Sequence, residues 1–255
     1  MPIPETDLVM PLFLLKGRTA IVTGAGAGIG LAVAHAFAEA GANVVLWYIP
    51  TTQRYTRRLQ LRHSMVLDRV KETVDQVVCD FNGRLDVFVA NSGTPGEIGT
   101  FIDGSLDVVH DMLKVNLKDT LYCAKAATEP GVHDARRQAA GELPRGELHL
   151  HDGNQRAQRA PVPPADESRA IGLGKGFAVE WTGFARANLI SPGYVKTDMT
   201  NWLPDHEVKA TKGRIPMGRW AECGELKGAY LYLASDASSY TTGTDLLVDG
   251  GYCAL

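Results

Sequence analysis

Several features that mark other classes of protein are scarce or absent in this sequence. Its four cysteines lie far apart and form no C-x-x-C pair, which argues against a zinc or other metal site and against a disulfide framework. No apolar run approaches the ~20 residues that a helix needs to cross a bilayer. The 26 basic residues are outnumbered by 29 acidic ones, so no basic surplus indicates nucleic acid. We therefore predict a cytoplasmic protein with neither membrane nor nucleic-acid partners.

What the sequence does contain is an alternation of short apolar runs with helical patterns. Thr19–Val22 predicts a strand buried on both faces, Ile29–Ala40 a helix, and Asn43–Tyr48 a second buried strand. Such a strand–helix–strand unit requires parallel strands. The later helices and strands are predicted at Val70–Phe81, Leu85–Ala90, Leu106–Ala127 and Asp245–Val248. The pattern predicts an α/β fold, a Rossmann-like doubly wound parallel sheet flanked by helices, in a single domain over residues 1–255.

Two windows interrupt this pattern. Residues 49–69 and 129–169 show no sustained period of either kind, and the second is rich in Arg, Gln, His, Gly and Pro. Structureless stretches of this size are uncommon inside a compact domain. The second window contains His149 and His151, for which no third metal ligand is placed, so we interpret them as part of a solvated loop.

A glycine-rich turn, "TGAGAGIG", follows the first predicted strand. The spacing G-x-G-x-x-G fails, because Ile29 stands three residues after Gly26. The spacing T-G-x-x-x-G-x-G fits instead, on Thr23, Gly24, Gly28 and Gly30. Glycines let a backbone approach a diphosphate closely, and the following helix directs its N–H groups at the negative charge. The turn therefore predicts a dinucleotide site, with an unliganded flexible turn as the alternative.

Four further motifs follow the turn in a fixed order. They are "ANSG" at Ala90–Gly93, "KVNLKDT" around Asn116, "SPGYVKT" at Ser191–Thr197, and "TGTDLLVDGG" near the carboxyl end. Together the five motifs resemble the classical short-chain dehydrogenase/reductase family, with Ser92 in place of the alanine of its N-A-G motif. Within this family, the local sequence is most similar to the branch of fungal mannitol dehydrogenases and sorbose reductases.

The resemblance implies a role for each matching residue. The glycine turn would cradle the cofactor phosphates, the "ANSG" segment would pass beneath the adenosine ribose, and "SPGYVKT" would contact the carboxamide end. Asn116 would act in catalysis, by holding a helix kink and by placing a water on the proton path through its carbonyl. The resemblance also implies a homotetramer or homodimer. The cofactor-binding residues implied are Thr23, Gly24, Gly28, Ile29, Gly30, Asn91, Gly93, Pro192, Gly193 and Thr197.

The end of the second strand bears on the choice of cofactor. An acidic residue there accepts hydrogen bonds from the ribose 2′-OH and repels a 2′-phosphate. This chain has Leu46, Trp47 and Tyr48 and no acid, which favours NADP over NAD. Arg54, Arg57 and Arg58 follow in the first irregular window; they are candidates for a phosphate contact, although a solvated surface is the simpler interpretation.

The family's proton donor is missing. The family uses a tyrosine whose pKa is lowered by a lysine four residues later, one helical turn away. None of the eight tyrosines here has a lysine at that spacing. Counted back from "AVEW", the position of the family's tyrosine is occupied by Pro163 and that of its lysine by Glu167. Other tyrosines and lysines carry little weight, because none matches a motif position; they are Tyr122 with Lys125, Lys175 and Tyr194.

Two explanations of this gap remain open. One is divergence; the other is a shifted reading frame in the two windows. Common codons for "ELHLHDG", read one nucleotide later, permit Ser-Phe-Ile-Tyr-Thr-Thr, which is similar to the family's strand before its catalytic serine, but the same shift does not restore Tyr-x-x-x-Lys.

The favoured function is an NADP(H)-dependent oxidoreductase that interconverts a ketose or other small carbonyl with its alcohol. The alternative is a catalytically impaired nucleotide-binding homologue with a scaffold or regulatory role.

Overall fold

The computed structural model describes residues 8–48, 67–81, 83–94, 105–129, 146–151, 165–201 and 203–254. The strands are β1 (Thr19–Thr23), β2 (Asn43–Trp47), β3 (Val87–Ala90), β4 (Gly146–His151), β5 (Ala185–Pro192), β6 (Val195–Lys196), β7 (Ala221–Glu222) and β8 (Asp245–Val248). The α-helices are α1 (Gly28–Glu39), α2 (Leu67–Asp80), α3 (Leu106–Met112), α4 (Asp119–Ala127), α5 (Ala165–Glu180), α6 (Asp205–Lys212) and α7 (Lys227–Ala234). A π-helical turn, Leu113–Lys118, joins α3 to α4.

Six of the strands form one parallel sheet in the order β2-β1-β3-β4-β5-β8. Apolar residues fill both of its faces, because alternate side chains of a strand point to opposite sides. Ile21 joins a core with α2, α4 and α5, whereas its neighbours Ala20 and Val22 join a second core with α1 and α7. The predicted doubly wound α/β sheet is confirmed.

The prediction of a second buried strand is wrong in one respect. The strand β2 forms as predicted, but within the described part of the chain it pairs on one side only, with β1. Its residues are half-buried or exposed, and Leu46 is 44% exposed. An apolar run predicts a strand, but its place in the sheet depends on long-range pairing that the run does not encode.

The second irregular window contains regular structure that its composition did not predict. The strand β4 lies in the middle of the sheet, where its backbone pairs with β3 and β5, and α5 begins at Ala165. His149 stands opposite Val89 and Asn188, so the interpretation as a solvated loop is wrong for β4. Two flanking strands supply backbone partners, and these favour a strand whatever the side-chain pattern. The rest of both windows, residues 49–66, 130–145 and 152–164, lies outside the described residues.

The predicted long helix over 106–127 is helical throughout but not uniform, since α3 and α4 flank the π-helical turn. None of the helices in the described ranges is both long and apolar enough to span a bilayer.

Candidate cofactor site

The turn between β1 and α1 requires glycine for its backbone conformation. Gly24 has φ +67° and Gly28 has φ +59°, both in the left-handed region that other residues rarely adopt. Gly30 is required for space, because a Cβ there would lie 2.6 Å from the Gly24 carbonyl oxygen and 2.6 Å from Asn91 Nδ2. No side chain caps the start of α1, whose N-cap residue is Ala27. Among the described residues, the first amides of α1 therefore have no side-chain cap.

The loop after β3 is tied to this turn by hydrogen bonds. The Thr23 hydroxyl accepts hydrogen bonds from the backbone N–H groups of Asn91 (2.9 Å) and Ser92 (3.0 Å). The Asn91 side-chain amide donates to the Thr23 carbonyl at 2.9 Å. Thr23 thus holds the "ANSG" segment in place, and its hydroxyl is already engaged within the protein. These contacts place Asn91 and Ser92 beside the start of the glycine turn.

The segment after β5 reaches the same turn from the other side. The Gly193 N–H donates to the Val248 carbonyl at 3.0 Å, which fixes the Pro-Gly bend against β8. Thr197 lies on the glycine turn, because a Cβ on Gly28 would meet its Cγ2 methyl at 3.3 Å. The Thr197 hydroxyl is buried and has no hydrogen-bond partner among the described residues. A buried hydroxyl without a partner is costly, so this atom fits a site that a ligand completes.

The residues present fit a bound dinucleotide. The left-handed glycines form a cradle that any side chain would fill, the helix start behind it favours a negative charge, and Thr197 offers a free hydroxyl across from it. Of Ile29, only the backbone is available to a ligand, because the side chain packs in the core with α7. Tyr48 covers the same turn at Gly26, where a Cβ would lie 2.7 Å from its ring. The three predicted cofactor segments are therefore neighbours in space, although they are far apart in sequence.

Asn116 occupies the middle of the π-helical turn. Its side-chain oxygen accepts a hydrogen bond from the Thr94 N–H at 2.9 Å, and its amide donates to the Thr94 carbonyl at 3.2 Å. Its own carbonyl accepts a hydrogen bond from the Thr120 hydroxyl at 2.9 Å. The Asn116 side chain therefore clamps the loop after β3, and both of its polar groups are engaged within the protein. Insertions of this helical type occur often at functional sites.

Asp119 is a buried acid that the sequence patterns did not single out. It is 4% exposed, and its Oδ1 has no hydrogen-bond partner among the described residues. Burial raises the pKa of Asp119 to about 7, against the opposing positive charges of Lys114 and Lys118. A sequence signal did exist, because Asp119 shares a helix face with the buried residues Cys123 and Ala126 at spacings of four and seven.

We expect the Asp119→Asn variant to be more stable than the wild type above neutral pH. The carboxyl has a pKa of 3.8 when unperturbed and about 7 in the folded protein, so the folded state binds more protons between these values. Wild-type stability therefore falls as pH rises from about 4 to 7 and is level above that. The neutral asparagine is free of this penalty, which we expect to reach ~1–3 kcal/mol. Urea unfolding at pH 4 and pH 8 checks this, and an equal difference at both values contradicts it.

The alternative proton donors are not placed to replace a catalytic tyrosine. Tyr194 is buried against Trp220, with ring centroids 5.5 Å apart, and burial raises the pKa of Tyr194 to about 12. Lys175 is exposed on α5, and Tyr122 has the ammonium of Lys118, not Lys125, over its ring at 5.5 Å. Trp220 is buried as well, in a small core with Tyr194 and Ile215. The side chains at Arg54, Arg57, Arg58, Pro163 and Glu167 lie outside the described part of the structure.

Comparisons with known proteins agree with this geometry. A family model described as enoyl-(acyl carrier protein) reductase matches residues 24–141 and 164–253. A short-chain type dehydrogenase/reductase from Mycobacterium marinum has a similar structure, with a TM-score of 0.80 and 28% identity over 97% of this chain and 100% of that one. An L-xylulose reductase of Hypocrea jecorina is 44% identical over 98% of this chain and 95% of that protein. The chain belongs to the short-chain dehydrogenase/reductase family.

The resemblance inferred from the five motifs is thus confirmed. Another relative of this short-chain dehydrogenase/reductase is a probable NADP-dependent mannitol dehydrogenase of Yarrowia lipolytica, 38% identical over 99% of this chain and 94% of that protein. The fungal branch that the local sequence indicated is therefore represented among the relatives of this chain.

The family match is interrupted at one place. Residues 142–163 separate its two parts, and this interval lies inside the second irregular window. It ends at Pro163, the residue that counting back from "AVEW" assigns to the position of the family's tyrosine. Glu167, in the lysine slot, lies in the first turn of α5, which begins only at Ala165. The segments predicted to bind the cofactor lie within or next to the matched residues, and Glu167 also lies within them.

Proposed function

We propose that this protein is an NADP(H)-dependent oxidoreductase that interconverts a ketose or another small carbonyl compound with its alcohol. The observation that carries the proposal is the enclosed glycine turn, with Asn91 on one side and Thr197 on the other. Relatives named for reduction of L-xylulose and for NADP-dependent oxidation of mannitol support both the class of substrate and the cofactor. The homo-oligomeric state and the cytoplasmic location remain predictions. Light scattering tests the oligomeric state.

Support for NADP comes from the end of β2. Tyr48 follows this strand, 18 residues after Gly30, near the spacing at which an acid binds the ribose 2′-OH in NAD enzymes. A neutral phenol there does not repel a 2′-phosphate. We therefore expect tighter binding of NADPH than of NADH.

The residues that would hold the cofactor divide by position. The amides of the Gly24–Gly30 turn would bind the diphosphate, Asn91 and Gly93 would border the adenosine ribose, and Thr197, with the Pro192–Gly193 bend, would border the nicotinamide. Bound NADPH supplies a hydride to the carbonyl carbon. The family resemblance implies that the Asn116 carbonyl, which accepts a hydrogen bond from the Thr120 hydroxyl, would also hold a water on the proton path. Proton delivery is the step in which this chain departs from its family, since Pro163 cannot donate a proton.

That departure favours a second candidate function, a nucleotide-binding homologue without turnover. Its supporting observation is the pair Pro163 and Glu167 in the slots of the family's tyrosine and lysine. Removal of a general acid typically costs a factor of about 10²–10⁴ in rate. The two candidates share cofactor binding and differ only in catalysis.

We expect NADPH to quench the tryptophan fluorescence of the protein, and we expect NADPH to be consumed when L-xylulose is added. Reduction of NADP by mannitol tests the reverse direction. The matched control is a variant with a blocked glycine turn, Gly30→Ala, in which both signals should be lost. Binding without turnover on a panel of ketoses and polyols would support the second candidate, and absence of binding would contradict both. Sequencing of the coding DNA, with peptide mass mapping of residues 49–69 and 129–169, decides whether the reading frame is intact.

A further inference from the structure

The segment that follows the cofactor site has a small hydrophobic core of its own. We call residues 203–220 the outer loop. Ile215 and Trp220 of this loop are buried with Tyr194, apart from the two cores that flank the sheet. The Trp220 indole N–H donates to the Thr211 hydroxyl at 3.0 Å, which ties the end of the loop to the end of α6. The outer loop is therefore a packed unit.

The base of this unit lies beside the candidate cofactor site. The strand β6 precedes the outer loop, β7 follows it, and the two strands pair with each other. The Ala221 N–H donates to the Tyr194 carbonyl at 2.9 Å. Thr197, which lies on the glycine turn at Gly28, follows β6 directly. The strand pair that carries the outer loop therefore adjoins Thr197, where we place the nicotinamide, and from this position we infer that the outer loop borders the space for a carbonyl substrate.

The carboxyl-terminal turn holds the other side of the outer loop. Gly250 (φ +65°) and Gly251 (φ +88°) let this turn approach closely, since a Cβ on Gly250 would lie 2.9 Å from Ile215 Cγ2. The Met217 N–H donates to the Gly250 carbonyl at 3.2 Å. Two peptide segments thus contact each other through their backbones, with glycine required at the contact.

Tyr252 completes the contact with an aromatic ring. Its ring meets that of Tyr194 edge to face, with centroids 5.7 Å apart at 80°, and Tyr194 in turn stacks on Trp220. The Asp249 carboxylate fixes the segment that carries Tyr252, because it accepts the N–H groups of Gly251 (2.9 Å) and Cys253 (2.8 Å). Edge-to-face aromatic pairs stabilise a packing arrangement beyond their buried area.

We propose that Tyr252 is a positioning residue for the carbonyl substrate, acting through Tyr194 and Trp220 to hold the outer loop beside the nicotinamide end of the site. The proposal rests on the proposed function for its substrate, but the loop contact itself does not. Tyr252 lies far from the glycine turn in sequence and makes none of the contacts that we assign to the cofactor. Its loss is therefore expected to change substrate affinity and loop exposure, with little effect on NADPH binding.

The test compares Tyr252→Ala with Tyr252→Phe, which keeps the ring, and with Tyr240→Ala, which removes a fully exposed tyrosine. For Tyr252→Ala we expect the KM for L-xylulose to rise about 10-fold, while kcat and the Kd of NADPH stay within about twofold. We also expect native-state trypsin cleavage at Lys209, Lys212 and Arg214 to accelerate at least about fivefold, since a released loop opens more often. Tyr252→Phe and Tyr240→Ala should match the wild type in both measurements.

The cleavage measurement needs no turnover. It therefore tests whether Tyr252 holds the outer loop even if the protein binds NADPH without reducing a substrate. Wild-type cleavage rates in Tyr252→Ala would overturn the proposal, as would a KM unchanged in an active enzyme. A rise in the Kd of NADPH equal to the rise in KM would also overturn it, because it would indicate a general loss of structure. Failure of the unmodified protein to bind NADPH is a different result, which contradicts the proposed function.

Discussion

The Gly30→Ala variant is expected to lose most of its NADPH binding. A methyl group at residue 30 would lie 2.6 Å from the Gly24 carbonyl oxygen, which is a backbone atom, and 2.6 Å from Asn91 Nδ2, which is the end of a side chain. The Asn91 amide is held by the Thr23 carbonyl, so relief of the clash must move the glycine turn or the loop after β3. Overpacking of this kind costs ~2 kcal/mol, which corresponds to at least about 30-fold weaker binding if it falls on the site.

Fluorescence titration with NADPH and a thermal melt of the same sample measure this effect. The matched control is Gly228→Ala on α7, where a Cβ would meet nothing within 4 Å. The control should bind NADPH as the wild type does, and its melting temperature should be equal or higher, since alanine favours a helix over glycine. Wild-type affinity in Gly30→Ala would mean that the turn does not hold the diphosphate.

The Arg186→Met variant is expected to show the largest loss of stability. Arg186 is 4% exposed on β5, and its guanidinium donates to the Leu233 carbonyl (2.8 Å), the Thr241 carbonyl (2.6 Å) and the Ser238 hydroxyl (2.9 Å). The first of these carbonyls lies in the last turn of α7, where a positive charge also complements the helix dipole. Hydrogen bonds to charged groups contribute more than neutral ones, so we expect the free energy of unfolding to fall by roughly 2–4 kcal/mol.

Urea unfolding followed by circular dichroism measures that loss. Arg219→Met serves as the control, because Arg219 is an exposed arginine that also makes two charged hydrogen bonds, both to Glu225 at 2.7 Å. Exposed ion pairs contribute little, so the control should lose at most about 1 kcal/mol. Similar losses in the two variants would contradict the argument that burial makes the Arg186 contacts strong.

The parts of the fold that were predictable are those in which neighbouring residues specify the structure. The run Thr19–Val22 and the helix from Ile29 formed within one or two residues of their predicted bounds, and β8 formed over Asp245–Val248 as predicted. The strand β4 was not predicted, because "GELHLH" has no apolar run and owes its conformation to β3 and β5. The burial of Asp119 was missed although its spacing to Cys123 and Ala126 places it on an apolar helix face, because an aspartate is rarely buried without a partner.

The sequence by itself determined the family, the glycine turn and the absence of a Tyr-x-x-x-Lys pair, because each is a matter of residue type and spacing along the chain. Only the tertiary structure decided that Thr197 lies on Gly28, that Asn116 clamps Thr94 and that Tyr252 packs on Tyr194. These contacts join segments that the sheet brings together from distant parts of the chain. A local pattern carries no information about such distances, which arise only when strand order and register place the segments side by side.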